Sequence, residues 1–144
     1  MFEINKDSYT IPMPALRVLV CGDRNWDDKA TIMKALKKLL EEHHGFKPPN
    51  LVVIDGVARG ADSLGHICAL DLNCETERYP ADWEKHGKAA GPIRNQQMLN
   101  EGKPDLVLAF HSDLLKSKGT KNMVEIAMKA GVEVRVITGE KSDI

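Results

Sequence analysis

Apolar residues recur along this chain with two alternating periods. Short β-branched runs at RVLVC (17–21), LVVID (51–55), DLVLAF (105–110) and VEVRVI (132–137), with CETERYP (74–80) as a weaker fifth, read as strands. Between them the spacing turns helical. In DDKATIMKALKKLLEEHHG, Ile32, Leu36, Leu39 and Leu40 share one face, with Asp27 or Asp28 placed to cap the start and Gly45 to stop the end. ADSLGHICALDLN carries Leu64, Ile67, Cys68 and Leu72 as a stripe, and TKNMVEIAMKAG carries Met123, Ile126, Ala127 and Ala130 before Gly131. Gly91 and Pro92 mark a further helix start, because a proline in the first turn gives up an N–H that has no partner there anyway. Arg94 and Asn95 then fall in or near that first turn.

Strands that are apolar on both faces, each followed by a helix, give a parallel sheet covered by helices. The expected fold is α/β, a single Rossmann-like three-layer domain over residues 16–138, with a parallel sheet of about five strands in the order 3-2-1-4-5. Residues 1–15 are expected to form an arm, since Pro12 and Pro14 break regular structure, and residues 139–144 a polar tail. HGFKPPN (44–50) reads as a loop.

Composition changes this picture only at the margins. A chain of 144 residues, 42% hydrophobic, suits one domain with a real core. Its formal charge of −1 argues against coating nucleic-acid phosphates as its main work, so nucleic acid is not the expected partner. Cys21, Cys68 and Cys74 are odd in number and sit in apolar or helical surroundings, which favours free thiols in a reducing cytoplasm. The first residues lack the pattern of a signal peptide, and no apolar run approaches the ~20 residues of a membrane span. The expectation is a cytoplasmic protein with no membrane partner.

Glycines and charges cluster at the carboxyl ends of the expected strands. Gly22, Asp23 and Arg24 follow the first; Gly56, Arg59, Gly60 and Asp62 the second; Pro80, Asp82 and Trp83 the third; His111, Ser112, Gly119 and Thr120 the fourth. In open parallel sheets ligands bind at that edge, where strand order reverses. GDRNW and HSDLLKSKGT should therefore face each other across the reversal. In DGVARGADSLG small residues let backbone N–H groups approach an anion at a helix N-terminus, and Arg59 adds a cation that a plain turn does not need. The bland alternative is a turn in which Asp62 or Ser63 only caps the helix. KGT, beside Lys118, is a second such helix start. Upstream of Arg94, YPADWEKHGKAAG suggests a pocket wall, where Trp83 stacks on a planar ring or else packs on the sheet edge. Neither G-x-G-x-x-G nor G-x-x-x-x-G-K-[ST] occurs, and the histidines and cysteines show no metal-ligand spacing, so neither a cofactor nor a metal is expected.

Taken in order, GDRNW, DGVARGAD, YPADWEKHGKAAGPIRNQQM and KGT resemble the YspA-type, cpYpsA-related branch of the SLOG superfamily. That superfamily also takes in the Lonely Guy phosphoribohydrolases and the DprA/Smf proteins. The resemblance covers roughly residues 16–137, and the block from PADW to RN is its most specific part. It implies a Rossmann-like domain that binds nucleotides or nucleotide-derived molecules, cleaving the N-glycosidic bond in some branches and sensing a nucleotide signal in others. It also implies a homo-oligomer. Arg94 and Met98 match the Arg-x-x-x-Met element of the phosphoribohydrolases, and Gly119 and Thr120 match the Gly-Thr of their Pro-Gly-Gly-x-Gly-Thr-x-x-Glu element. KSK replaces the Pro-Gly-Gly approach, and Met123 stands where that element has its catalytic glutamate. Glu125 follows two residues later, about 200° around a helix.

Three readings of function follow. The first is a binding or sensing module for a nucleotide or its derivative, with Gly22, Asp23, Arg24, Gly56, Arg59, Gly60, Asp62, Trp83, Arg94, Asn95, Gly119 and Thr120 holding the ligand. The second is an N-glycoside hydrolase or transferase, in which Arg94 anchors phosphate and a carboxylate such as Asp23, Asp62 or Asp82 stabilises the ribosyl cation or activates water. The third is single-stranded DNA binding of DprA type, which asks for a basic groove with stacking aromatics that a 5% aromatic, near-neutral chain does not offer.

Overall fold

A computed structural model of the chain describes residues 14–43 and 51–139. The expected arm up to residue 13, the 44–50 loop with Gly45, and the tail from residue 140 lie outside them. The described chain forms one five-stranded sheet in the order β3-β2-β1-β4-β5. Its strands are β1 (Leu16–Gly22), β2 (Leu51–Asp55), β3 (Glu75–Arg78), β4 (Leu106–Phe110) and β5 (Glu133–Ile137), all paired in parallel. The helices are α1 (Lys29–Glu42), α2 (Ala61–Asp71), α3 (Trp83–His86), α4 (Ala90–Gln97) and α5 (Gly119–Lys129).

Side chains alternate across a strand, so β1 feeds two separate cores. Val18 and Val20 meet Ile32, Leu36 and Leu39 of α1 and Cys68 of α2 on one face. Leu19 and Cys21 meet Met98, Met123, Val124 and Ala127 on the other. Only β1, β2 and β4 are buried throughout or nearly so, whereas the edge strands β3 and β5 are largely exposed or half-buried. β3 carries Glu75, Glu77 and Arg78 where β5 keeps Val134, Val136 and Ile137, which is why CETERYP gave the weakest strand signal. All three cysteines are free and buried.

Two helical details differ from the sequence reading. On α2 the buried residues are Ala61, Asp62, Gly65, Cys68 and Ala69, while Ile67 is exposed. The cause is close approach: a Cβ on Gly65 would lie 2.7 Å from Cγ1 of Val20, so only small side chains fit beneath the helix. On α5 Val124 is buried and Ala130 is exposed. The start expected at Gly91 belongs to a longer run, in which α3, a 3-10 turn (Gly87–Ala89), α4 and a π-helical turn (Met98–Gly102) follow without a break. Among the described residues, no helix is long and apolar enough to cross a membrane.

Candidate functional site

Because β2 and β4 flank β1, the chain leaves the sheet in opposite directions on either side of it. The loops after these strands are stitched together at their roots. Asp23 N–H donates to Phe110 O at 2.9 Å, and Ala61 N–H donates to Asp23 O at 3.1 Å. Glycine makes this closeness possible. A Cβ on Gly22 would lie 2.2 Å from Phe110 O, and one on Gly60, whose φ is +72°, would lie 2.2 Å from Asp23 O.

Above the strand ends lie two cavities. The smaller, about 350 Å³, is lined by Gly22, Asp23, Arg24, Asp62, Arg94, Asn95, Gly119 and Thr120, together with Cys21, Asn25, Met98, His111, Ser117, Lys118 and Met123. The larger, about 500 Å³, is lined by Arg24, Gly56, Arg59, Trp83 and Arg94 with Val57, Pro80 and Ala81. Arg24, Ala58 and Arg94 border both. Of the residues nominated from sequence, Gly60 and Asp82 line neither cavity. Gly60 sits beneath the 23–24 backbone, and Asp82 caps α3, its Oδ1 accepting from Lys85 N–H at 3.1 Å.

Arg94 is the best-fixed cation. Its Nε donates to Asn95 Oδ1 at 3.0 Å and its Nη1 donates to Gly56 O, which sets the plane of the guanidinium and leaves the Nη2 donors to other partners. Gly56 has to be glycine for this, because a Cβ there would lie 2.5 Å from Nη1. Burial lowers the Arg94 pKa, Asp62 opposes that shift and Arg24 adds to it. The group stays a cation, as a guanidinium does in proteins. Asn95 is itself buried and reaches across to α5, its Nδ2 donating to Gly119 O at 3.2 Å and to Asn122 Oδ1 at 2.9 Å. The N-terminus of α5 is thereby locked to the arginine. Thr120 N–H donates to Ser117 Oγ at 3.0 Å, and the first turn of α5 faces the smaller cavity through Gly119 and Thr120.

The acids behave differently from one another. Asp62 accepts from Gly56 N–H at 3.0 Å through Oδ2. Burial pushes its pKa up to about 6, the charge of Asp55 adds to this, and the Gly56 N–H and Arg94 oppose it. Burial also pushes the Cys21 thiol well up, which leaves it neutral and unsuited to nucleophilic work. Asp23 accepts from Asn25 N–H at 2.9 Å through Oδ1 only, so its second oxygen has no hydrogen-bond partner among the described residues. Glu125 is exposed on α5 and lines neither cavity, whereas Met123 is buried in the floor of the smaller one. No group of three or more His, Cys, Asp or Glu able to hold a metal occurs among the described residues.

Sequence reasoning missed the brace behind the site. Asp55, fully buried at the end of β2, takes a forked contact from Arg78 (3.0–3.1 Å) and accepts from Val57 N–H at 2.7 Å. It holds Val57 at φ 66°, a left-handed conformation that a β-branched residue avoids and that marks a shaped wall of the larger cavity. An acid closing an apolar strand was the available signal. His111 was noted only for its place after β4. Its Nδ1 accepts from Asp113 N–H at 2.9 Å, so the neutral ring carries its proton on Nε2.

These features define a parallel α/β domain of Rossmann-like type with paired cavities at its topological switch point. A sequence profile of the YspA, cpYpsA-related SLOG family matches residues 16–86, and the chain belongs to that family. It is 41% identical over 123 residues to the Gene 61 protein of Mycobacterium phage D29, a match that covers 82% of this chain and 93% of that protein. Its fold is similar to DNA processing protein A (DprA) from Streptococcus pneumoniae, with a TM-score of 0.65 at 20% identity over 88% of this chain. The chain spans about half of that DprA, 51% of its length. Membership of the family carries a nucleotide-related role in general terms.

Proposed function

We propose that this protein binds a nucleotide or nucleotide-derived small molecule, with phosphate in the smaller cavity and the base against Trp83 in the larger. One observation carries the reading: the Arg94 guanidinium is locked in plane by Gly56 and Asn95, and Asn95 ties it to the N-terminus of α5. A planar donor fork fixed beside a helix N-terminus is a ready seat for phosphate. Arg24, Lys118 and Thr120 complete that seat, and Gly22 gives it room. Arg59 and Trp83 wall the outer part, where the half-exposed indole offers a face for stacking. The protein is read as cytoplasmic and homo-oligomeric, the second point resting on the family and open to light scattering.

The test is direct. Protein purified under native conditions is denatured and the released small molecules are identified by mass spectrometry, and AMP is titrated calorimetrically into the emptied protein. A co-purified nucleotide or saturable AMP binding supports the reading. Binding of single-stranded oligonucleotide alone, with the steep salt dependence of phosphate neutralisation, would replace it with the DNA reading.

A hydrolase reading would turn on one acid. Asp62 accepts from the backbone of Gly56 and Ala58 and Asp82 caps α3, so that reading assigns the oxocarbenium-like ribose to Asp23, which lines the cavity and has one oxygen without a hydrogen-bond partner among the described residues. Release of free base from nucleoside 5′-monophosphates, lost in Asp23→Asn, would support it. Stable monophosphates after prolonged incubation would remove it.

A further inference from the structure

β5 closes one side of the sheet, and its outer edge pairs with no other strand among the described residues. The carbonyl of Ile137 accepts from His111 N–H at 3.0 Å, so Ile137, and with it Arg135 and Glu133, turn their backbone groups towards β4. The N–H and C=O of Val134 and Val136 therefore point outwards. Such an edge takes up a further strand unless side chains forbid it, and charge is the usual guard. β3, at the opposite edge, is guarded in this way. Two antiparallel copies of Glu75-Thr76-Glu77-Arg78 centred on Thr76 set Glu75 against Glu77, and centred on Arg78 they set that arginine against itself. Glu77 and Arg78 are also already engaged, by Arg17 and Asp55.

On β5 the charges match instead of clashing. Val132-Glu133-Val134-Arg135-Val136 complements its own reverse. A second, antiparallel copy about a two-fold axis at Val134 sets Val134 against Val134, Glu133 against Arg135 and Val132 against Val136, the last two pairs occurring twice. Val134, with its backbone groups turned out, then exchanges two N–H to O bonds with its counterpart. The Glu133–Arg135 pairs fall at the positions without hydrogen bonds, where opposite side chains come closest. Both residues are exposed, on the face opposite the one through which Val134 joins the core beneath α5. Within one chain Arg135 Nε already donates to Glu133 Oε2 at 2.8 Å, which leaves the Nη donors and Oε1 for the second copy. Val132 N–H is taken by Ala127 O at 3.0 Å, so only its carbonyl joins the ladder, accepting from Val136 N–H. Lys34 of α1 shares a groove with Val136 and Ile137, at the end of the segment where the apolar Val132 stands opposite. An axis at Arg135 would oppose the two arginines.

We propose that β5 is the interface between two copies of this chain, which join their sheets edge to edge about a two-fold axis at Val134. This gives a surface to the homo-oligomer proposed above and rests on that reading. One strand of five residues is a small contact beside the ~1,200 Å² or more of a stable interface, so the dimer is reversible. Because the joined strands are antiparallel, the two candidate sites open at opposite ends of the combined sheet, and dimerisation leaves both accessible.

Sedimentation velocity over a concentration series tests this with wild type, Glu133→Arg, Arg135→Glu, the double exchange of both, and an equimolar mixture of the two single variants. Wild type should show a reversible monomer–dimer equilibrium. Each single variant sets like charges across the axis twice and should raise the dimer Kd by about tenfold or more, whereas the double exchange should return it to within about threefold of wild type. The mixture should form dimers that neither single variant forms alone, because one carries two arginines at the seam and the other two glutamates. Glu133 and Arg135 are exposed and line neither cavity, so circular dichroism, thermal unfolding and AMP binding should match wild type throughout. A wild-type dimer whose Kd is unchanged in both single variants overturns the β5 interface and leaves the homo-oligomer to another surface. A double exchange that stays dissociated, or a mixture whose components stay apart, overturns the pairing about Val134. A wild type that is monomeric across the series ends both the β5 interface and the homo-oligomer, and leaves the nucleotide reading to its own test.

Discussion

At the scale of single residues, Arg94 and Asp62 meet in one cavity and carry opposite expectations. Arg94 is fixed for a ligand. Arg94→Ala should weaken nucleotide binding by about 1.5–3 kcal/mol, roughly ten- to a hundredfold, with the circular dichroism spectrum unchanged, and Arg94→Lys should recover only part because it lacks the planar fork. Unaltered affinity in the alanine variant would refute the phosphate seat. Gly56→Ala should act in the same direction, since its new Cβ would displace the guanidinium that lies 2.5 Å away. Asp62 instead affects the stability of the fold. Its native pKa, pushed up to about 6 by burial and by Asp55, lies above its ordinary value of 3.8. A raised carboxylate favours the folded state most fully at low pH, and that contribution is lost as pH rises through about 6. Stability relative to Asp62→Asn should therefore fall between pH 4 and 7, by on the order of 3 kcal/mol, in urea melts along that series. A difference that is flat with pH would show that the carboxylate is not desolvated. Arg94, Gly119 and Thr120 were singled out by motif spacing and Asn95 by its place beside Arg94, and all four line one cavity, while the pairing of Asp55 with Arg78 was not legible because the partners are 23 residues apart and meet only through the β2–β3 register.

At the scale of elements, what the sequence reading got and missed follows from what sets each contact. The central strands were legible because burial on both faces leaves continuous apolar runs, and α1 because its face follows the simple spacing of Ile32, Leu36 and Leu39. Asp28, not Asp27, caps α1, its Oδ1 accepting from Thr31 N–H at 3.1 Å, a choice that composition alone could not make. On α2 Leu64, Cys68 and Leu72 do turn to the core, and Ile67 was misplaced because hydrophobicity picks out large residues, whereas an approach to Val20 this close admits only small ones. Gly65→Ala should accordingly destabilise the protein by about 1–3 kcal/mol in chemical denaturation, as overpacking does, whereas Ile67→Ser, on the exposed side, should stay within about 0.5 kcal/mol. The opposite ranking would mean that α2 rests on Ile67 after all. The π-helical turn at Met98–Gly102 had no legible signal in the local spacing, and its Gly102 O accepts from Arg17 Nε of β1 at 2.6 Å, a contact 85 residues apart in sequence.

At the scale of the whole molecule, the candidate site holds the layers of the fold together as well as facing solvent. Its walls come from the ends of β1, β2 and β4, from α4 and the start of α5 on one face of the sheet and from Asp62 of α2 on the other, so a ligand there would reach both faces at once. A ligand that binds only this assembled arrangement stabilises the whole cooperative unit by RT ln(1 + [L]/Kd), about 2.7 kcal/mol at a hundredfold excess over Kd. For a domain of this size that corresponds to a rise in Tm of roughly 5–10 °C. The expected result in differential scanning calorimetry is one transition moving upward with the logarithm of AMP concentration. In Arg94→Ala the ligand-free Tm should stay close to wild type, because the guanidinium bonds to a carbonyl and an amide at a partly exposed position, while the AMP-dependent rise should shrink or vanish. Two transitions, only one of them responding, would mean that the ligand orders a local segment. An equal rise in wild type and variant would place the binding of AMP elsewhere on the molecule.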